Sequence, residues 1–230
     1  MPAPELVIFD CDGVLVDSEI IAARVESALI TEAGHAIDAE TIMERYSGLT
    51  VQDMLVAIER ESGVPFQVSL IDRMREETDR RLAAEVRPVE GAARAVAAVR
   101  VPRCVCSNSR PERIELMLGR AGLLPLFEGH IFSARDPAVA RPKPAPDVFL
   151  HATKSMGADP HRTFVIEDTV YGIAGAREAG MRVIGFTGGA HSFPGHADVL
   201  TEAGAETVIR RWTDLDATLA ALSQWSEDLG

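Results

Sequence analysis

Apolar residues along this chain fall in short blocks, each closed by a polar residue or a turn. The clearest are ELVIF (5–9), RCVCS (103–107), HIFS (130–133), TFVIE (163–167), RVIGF (182–186) and ETVI (206–209). Each has strand length, is rich in Val, Ile and Phe, and is apolar nearly throughout instead of alternating. That is how strands buried on both faces of a parallel sheet read. Between the blocks the spacing becomes helical. PVEGAARAVAAV (88–99) is Ala-rich. SRPERIELMLGRAG (109–122) starts with Ser109 as an expected N-cap and Glu112 three positions on, and ends at Gly122. DTVYGIAGAREAG (168–180) stops at Gly180, with Gly172 and Gly175 read as packing glycines, and TDLDATLAALSQW (213–225) closes the chain. Strand and helix alternate from about residue 86 onward, which predicts an α/β fold with a doubly wound parallel sheet.

Residues 17–85 break that rhythm. SEIIAARVESALITEAG (18–34), TVQDMLVAIERESG (50–63) and SLIDRMREETDRRLAAEV (69–86) all carry helical spacing, and the first two end at Gly34 and Gly63. The expected organisation is a core of residues 1–16 and 86–230, with a helical unit of residues 17–85 inserted after the first strand.

The first strand runs into FDCDGVLVDSE, which crowds Asp10, Asp12, Asp17 and Glu19. Like charges at this spacing repel unless they are solvated or share a cation. In an open α/β sheet, ligands bind beyond the carboxyl ends of the strands. Asp10 follows LVIF, Ser107 and Asn108 follow CVC, Glu167 and Asp168 follow FVI, and Lys143 follows the HIFS block in RPKPAPD. Parallel strands put these ends on one edge, so the groups converge although some 160 residues apart. Hard carboxylate oxygens from two strand ends suit Mg²⁺. Asp10 and Asp12, two apart in an extended segment, point the same way, so one can attack while the other handles a proton. Ser107, the amides near Asn108, and Lys143 as a point charge suit phosphate oxygens.

Charge and composition narrow the partners. The 230 residues carry 23 Lys and Arg against 35 Asp and Glu, a net charge of −12, with no basic footprint for nucleic acid or an anionic membrane. Only Lys143 and Lys154 are lysines, which singles out the one in the Pro-rich loop. Cys11, Cys104 and Cys106 lack the partners of a zinc site and read as buried thiols of a reducing compartment. MPAPE is too polar and short for a signal peptide, and no apolar run approaches the roughly 20 residues of a membrane span. The expectation is a cytoplasmic protein, a monomer or weak homodimer.

DCDGVLVDSE, CSNS, RPKPAPDVF and IEDTVYGIAGAREAG resemble, in order, the four motifs of the haloacid dehalogenase superfamily. The helical insert resembles the cap of its β-phosphoglucomutase-like branch. The resemblance implies a Rossmann-like core and Mg²⁺-dependent phosphoryl transfer. Asp10 would be the nucleophile that forms an aspartyl-phosphate, and Asp12 the general acid and then base. Ser107, Asn108 and Lys143 would bind the phosphoryl group, and Asp10, the Asp12 carbonyl, Glu167 and Asp168 would hold Mg²⁺. An acid two residues after the nucleophile favours a phosphate ester over a haloacid or phosphonate. Mutases of the branch carry a cap His and a cap Arg where this chain has Ala22 and Val51, so hydrolysis is expected over phosphomutase activity; a non-catalytic binding protein on the same scaffold is the third reading. The substrate expected by analogy is a small phosphorylated metabolite, a sugar phosphate or a sugar-acid phosphate such as 6-phosphogluconate. ERYSGLT (44–50) is the candidate substrate loop, with Arg45 and Tyr46 as candidate contacts. His191 and His196, in a Gly-rich loop, are expected to be solvent-exposed and receive no role.

Overall fold

A computed structural model describes residues 4–46, 49–127 and 129–225. The expected blocks become the strands β1 (Leu6–Phe9), β2 (Arg103–Ser107), β3 (Ile131–Ser133), β4 (Thr163–Glu167), β5 (Arg182–Phe186) and β6 (Thr207–Ile209). They form one parallel sheet in the order β3-β2-β1-β4-β5-β6. The sheet is buried from both sides. Val7 and Phe9 pack with Val105, Ile166, Phe186 and Trp212 on one face, and Leu6 and Ile8 pack with Cys104, Cys106, Val165 and Val183 on the other. This explains the lack of alternation in the sequence: both side-chain rows of each strand meet a helical layer.

The layers are α5 (Ala92–Ala98), α6 (Pro111–Arg120), α7 (Asp147–Met156), α8 (Val170–Glu178), α9 (His196–Glu202) and α10 (Leu215–Trp225). Two details differ from the sequence reading. Helix α6 begins at Pro111 and its N-cap position is Arg110, so Ser109 does not cap it; Pro at the first helical position supplies the start. Helix α9 occupies HADVLTE, within the stretch read as loop.

The insert holds α1 (Glu19–Glu32), α2 (Ala39–Tyr46), α3 (Val51–Ser62) and α4 (Ser69–Glu85). These helices build their own apolar cluster from Ala23, Ile30, Ile42, Tyr46, Met54, Leu55, Ile58, Leu70 and Met74. Polar contacts tie α4 to α6: Arg110 Nη2 donates to Asp79 Oδ2 at 2.6 Å and Arg113 Nε to Asp79 Oδ1 at 2.7 Å. Among the described residues, no helix is long and apolar enough to cross a membrane.

Register places the chemistry. Phe9 pairs with Val105 on one side and with Ile166 on the other. One residue further on, Asp10 lies level with Cys106 and Glu167, and its amide donates to the Ile166 carbonyl at 3.0 Å.

Candidate active site

Lys143 stands at the centre of the strand-end edge. Its Nζ donates to Asp10 Oδ1 at 2.6 Å, to the Cys106 carbonyl at 2.8 Å and to Glu167 Oε2 at 3.1 Å. The ammonium therefore bridges the ends of β1, β2 and β4. Burial alone would lower the Lys143 pKa, but the Asp10 and Glu167 charges outweigh it and hold the group protonated. Burial, then the Glu167 charge, pushes the Asp10 carboxyl well up; Lys143 opposes this, and Asp168 and Asp12 add to it. Glu167 is also raised by burial. One lysine does not balance this many buried acids. Asn108 positions the lysine: its Oδ1 accepts from the Lys143 amide at 2.9 Å and its Nδ2 donates to the Lys143 carbonyl at 3.3 Å. The Asn108 side chain is thus engaged with the lysine loop.

The Asp12 carboxylate is held by serines. Ser18 donates to its Oδ1 at 2.8 Å, and Ser107 and Ser109 donate to its Oδ2 at 3.0 and 2.9 Å. Ser107 Oγ also accepts from the Ser109 amide at 3.0 Å. Ser18 and Ser109 were missed as site residues. Ser109 carried the signal of lying two positions beyond a strand-end serine, but its hydroxyl serves Asp12 instead of a helix.

Asp10, Glu167 and Asp168 present carboxylate oxygens within 4.8 Å of one another, and among the described residues they form a group fit for a metal ion. The Asp12 side chain lies outside it. Asp168 is 1% exposed, and neither of its oxygens accepts a directed hydrogen bond among the described residues, although His191 Nε2 stands 2.9 Å from Oδ2. His191 thus pairs with Oδ2 by charge, and Oδ1 is left with no partner among the described residues; an orphaned buried carboxylate oxygen is costly, and a divalent cation with hard-oxygen preference would satisfy it. The residues fit the group.

Two glycines make room for these acids. Gly13 has φ +74°, and a Cβ there would lie 2.1 Å from Asp168 Oδ2. A Cβ on Gly172 would lie 2.0 Å from Glu167 Cδ. Gly172, read as helix–sheet packing, in fact clears space for a carboxylate. Thr169 sets this turn: its hydroxyl accepts from the Gly172 amide at 3.0 Å and donates to Glu167 Oε1 at 2.9 Å.

His191 and His196 are buried, contrary to expectation, at 7% and 6% exposure. His196 Nε2 donates to the Asp168 carbonyl at 2.8 Å. Burial lowers the pKa of His191, but the adjoining Asp168 carboxylate, with Glu19 and Asp17, outweighs it and raises the ring to about 9. The loop after β5, set beside the site by its place at the end of the fifth apolar block, folds back over the strand ends; that it buries His191 against Asp168 there was not legible in its Gly-rich sequence.

Arg45 and Tyr46 are not brought to the acids. Arg45 Nη2 and the Tyr46 hydroxyl both donate to Glu61 Oε2, at 2.7 and 2.9 Å, joining α2 to α3. Tyr46 does line a cleft that also touches Glu19 and His191. Of the proposed loop 44–50, residues 47 and 48 lie outside the described residues.

Residues 4–180 match the family described as "Hydrolase: haloacid dehalogenase-like hydrolase". The chain belongs to that family. The hydrolase is 31% identical over 191 residues to the 6-phosphogluconate phosphatase of Escherichia coli (strain K12), covering 83% of this chain and 86% of that protein. A haloacid dehalogenase-like protein of unknown function from Agrobacterium tumefaciens superposes with a TM-score of 0.92 at 51% identity, covering 96% of this chain and 100% of the other. A family hydrolase from Deinococcus radiodurans, solved with bound phosphate and sodium, gives a TM-score of 0.82 at 32% identity and covers 96% and 97%. The hydrolase is therefore a phosphatase, a phosphoric monoester hydrolase with a small phosphorylated substrate.

Proposed function

We propose that this chain is a Mg²⁺-dependent phosphatase that works through an aspartyl-phosphate on Asp10, with a sugar phosphate or sugar-acid phosphate as substrate. The observation that carries it is the buried group of Asp10, Glu167 and Asp168, with Lys143 bridging the first two and Asp168 Oδ1 left without a partner among the described residues. Mg²⁺, when bound, neutralises phosphoryl charge and offsets the repulsion among the carboxylates.

The chain's own groups do the rest. The buried Asp10 carboxylate attacks phosphorus. Lys143 and Ser107 hold phosphoryl oxygens by exchanging acceptors: the Lys143 ammonium re-aims the donor now on Asp10 as that carboxylate attacks, and the Ser107 hydroxyl, keeping its proton, re-aims its hydrogen bond from Asp12 to the phosphoryl group once Asp12 turns towards the leaving group. Asp12 enters the step protonated, gives that proton to the leaving alkoxide, and regains one from the water that splits the acyl-phosphate. Residues 17–85 act as the cap that excludes bulk water during attack and reopens for release. Positions 22 and 51, Ala and Val, supply no proton-handling group to guard the phosphoenzyme, which favours hydrolysis over mutase chemistry. Three free, buried cysteines fit a reducing compartment.

Turnover of p-nitrophenyl phosphate tests this reading. Phosphate release should require Mg²⁺, stop with EDTA, and be lost in Asp10→Asn. Full activity in EDTA or in that variant would overturn the reading.

A further inference from the structure

The loop between β5 and α9 closes over the acidic group and grips Asp168 at two points. His191 Nε2 stands 2.9 Å from Asp168 Oδ2, and His196 Nε2 donates to the Asp168 carbonyl at 2.8 Å. The loop is itself tied down. The Ala190 amide donates to Asp17 Oδ1 at 2.7 Å, the Ser192 amide donates to the Gly189 carbonyl at 3.1 Å, and the His196 ring stacks on Phe193 with centroids 4.7 Å apart.

The His191 ring fills a slot that two glycines leave open. A Cβ at Gly13 would lie 2.6 Å from His191 Cε1, and a Cβ at Gly189 would lie 2.7 Å from both Cε1 and Nδ1. The ring is buried, and its Nδ1 has no hydrogen-bond partner among the described residues. Its polar contact is with Asp168 Oδ2. A buried nitrogen without a partner is costly, and an apolar side chain would serve packing better. The contact with the carboxylate is what the ring adds.

Engaging Oδ2 matters to a metal ion. Mg²⁺ is small, keeps several waters and takes few carboxylate oxygens; Ca²⁺ is larger, takes more oxygens and readily accepts both from one carboxylate. A carboxylate with one oxygen already held suits the first ion and denies the second a ligand.

We propose that His191 is a positioning residue of the metal site: by holding Asp168 Oδ2 it leaves Oδ1 alone for the ion, and so tilts the site towards Mg²⁺ and away from Ca²⁺. This rests on the Mg²⁺-dependent phosphatase reading above and deepens it.

Displacement of Mn²⁺ from the metal-free protein tests it, with the EPR signal of free Mn²⁺ reporting the competition from Mg²⁺ and from Ca²⁺. His191→Leu removes the contact and keeps the slot filled. His191→Asn, too short to reach Oδ2, is the second variant should the first not fold. Mg²⁺ affinity should fall about tenfold, the usual effect of losing such an outer partner, while Ca²⁺, which gains Oδ2, holds its affinity. The Mg²⁺-to-Ca²⁺ affinity ratio therefore moves about tenfold towards Ca²⁺. A merely structural histidine would weaken both ions alike. A ratio that moves less than about threefold, or that moves towards Mg²⁺, overturns the inference and leaves the phosphatase standing. Wild-type protein that binds none of the three ions removes the Mg²⁺ reading and this inference with it.

Discussion

Lys143 Nζ lies 2.6 Å from Asp10 Oδ1, across 133 residues of chain and with both side chains at least nine-tenths buried. Two further acceptors, the Cys106 carbonyl and Glu167 Oε2, complete the coordination of the ammonium. A compact charge with three donors fits three acceptors converging from three strands, which a planar guanidinium cannot do. Lys143→Met should lower kcat/KM for p-nitrophenyl phosphate by about 10²–10³-fold, the size of effect seen when an aimed electrostatic group is removed. Lys143→Arg should fail to restore it. Steady-state kinetics of both variants checks this, and near-wild-type activity in either would count against the assigned role.

Gly172 and Glu167 form a second tight pair. Since a Cβ at Gly172 would fall 2.0 Å from Glu167 Cδ, Gly172→Ala must displace the carboxylate or the start of α8. Overpacking of this kind costs about 1–3 kcal/mol. Moving Glu167 should also raise the Mg²⁺ concentration for half-maximal activity, by about tenfold on the ~1.4 kcal/mol-per-decade scale. Metal titration of phosphate release measures it; an unchanged Mg²⁺ dependence would place Glu167 outside the metal site.

Glu26 yields a prediction for stability. Its carboxyl is raised from 4.5 to about 7 in the folded protein, by burial above all. Below about pH 4.5 both folded and unfolded states are protonated and there is no penalty. As pH rises from there to about 7, the unfolded state loses its proton first and the folded protein loses relative stability; above 7 the penalty is complete. Removing it with Glu26→Gln should stabilise the protein by about 1–3 kcal/mol at pH 8, visible as a higher Tm, with the gain shrinking towards pH 5. A gain independent of pH would show that the charge is not its source.

Much of this was readable in the chain before any coordinates. Strands such as LVIF and TFVIE announced themselves because both their faces are buried, and the polar residues one step beyond them announced the site because parallel strands share an edge. What stayed hidden depends on distant juxtaposition. His191 looks like a solvent-exposed member of a Gly-rich loop until that loop folds over Asp168. Ser109 matches a capping pattern until Pro111 takes over the helix start and frees its hydroxyl for Asp12. Arg45 looked available for substrate, but Glu61, sixteen residues on in α3, engages it.

The central claim, a divalent-ion phosphatase with Asp10 as nucleophile, is tested most directly by trapping the acyl-phosphate. The protein is mixed with substrate and Mg²⁺, quenched in acid within the first turnovers, reduced with borohydride and mapped by mass spectrometry. Expected is homoserine at position 10, formed from the phosphorylated carboxyl, present only when both substrate and Mg²⁺ were supplied. Steady phosphate release with no reduction product at position 10, or the same product without a divalent ion, would contradict it.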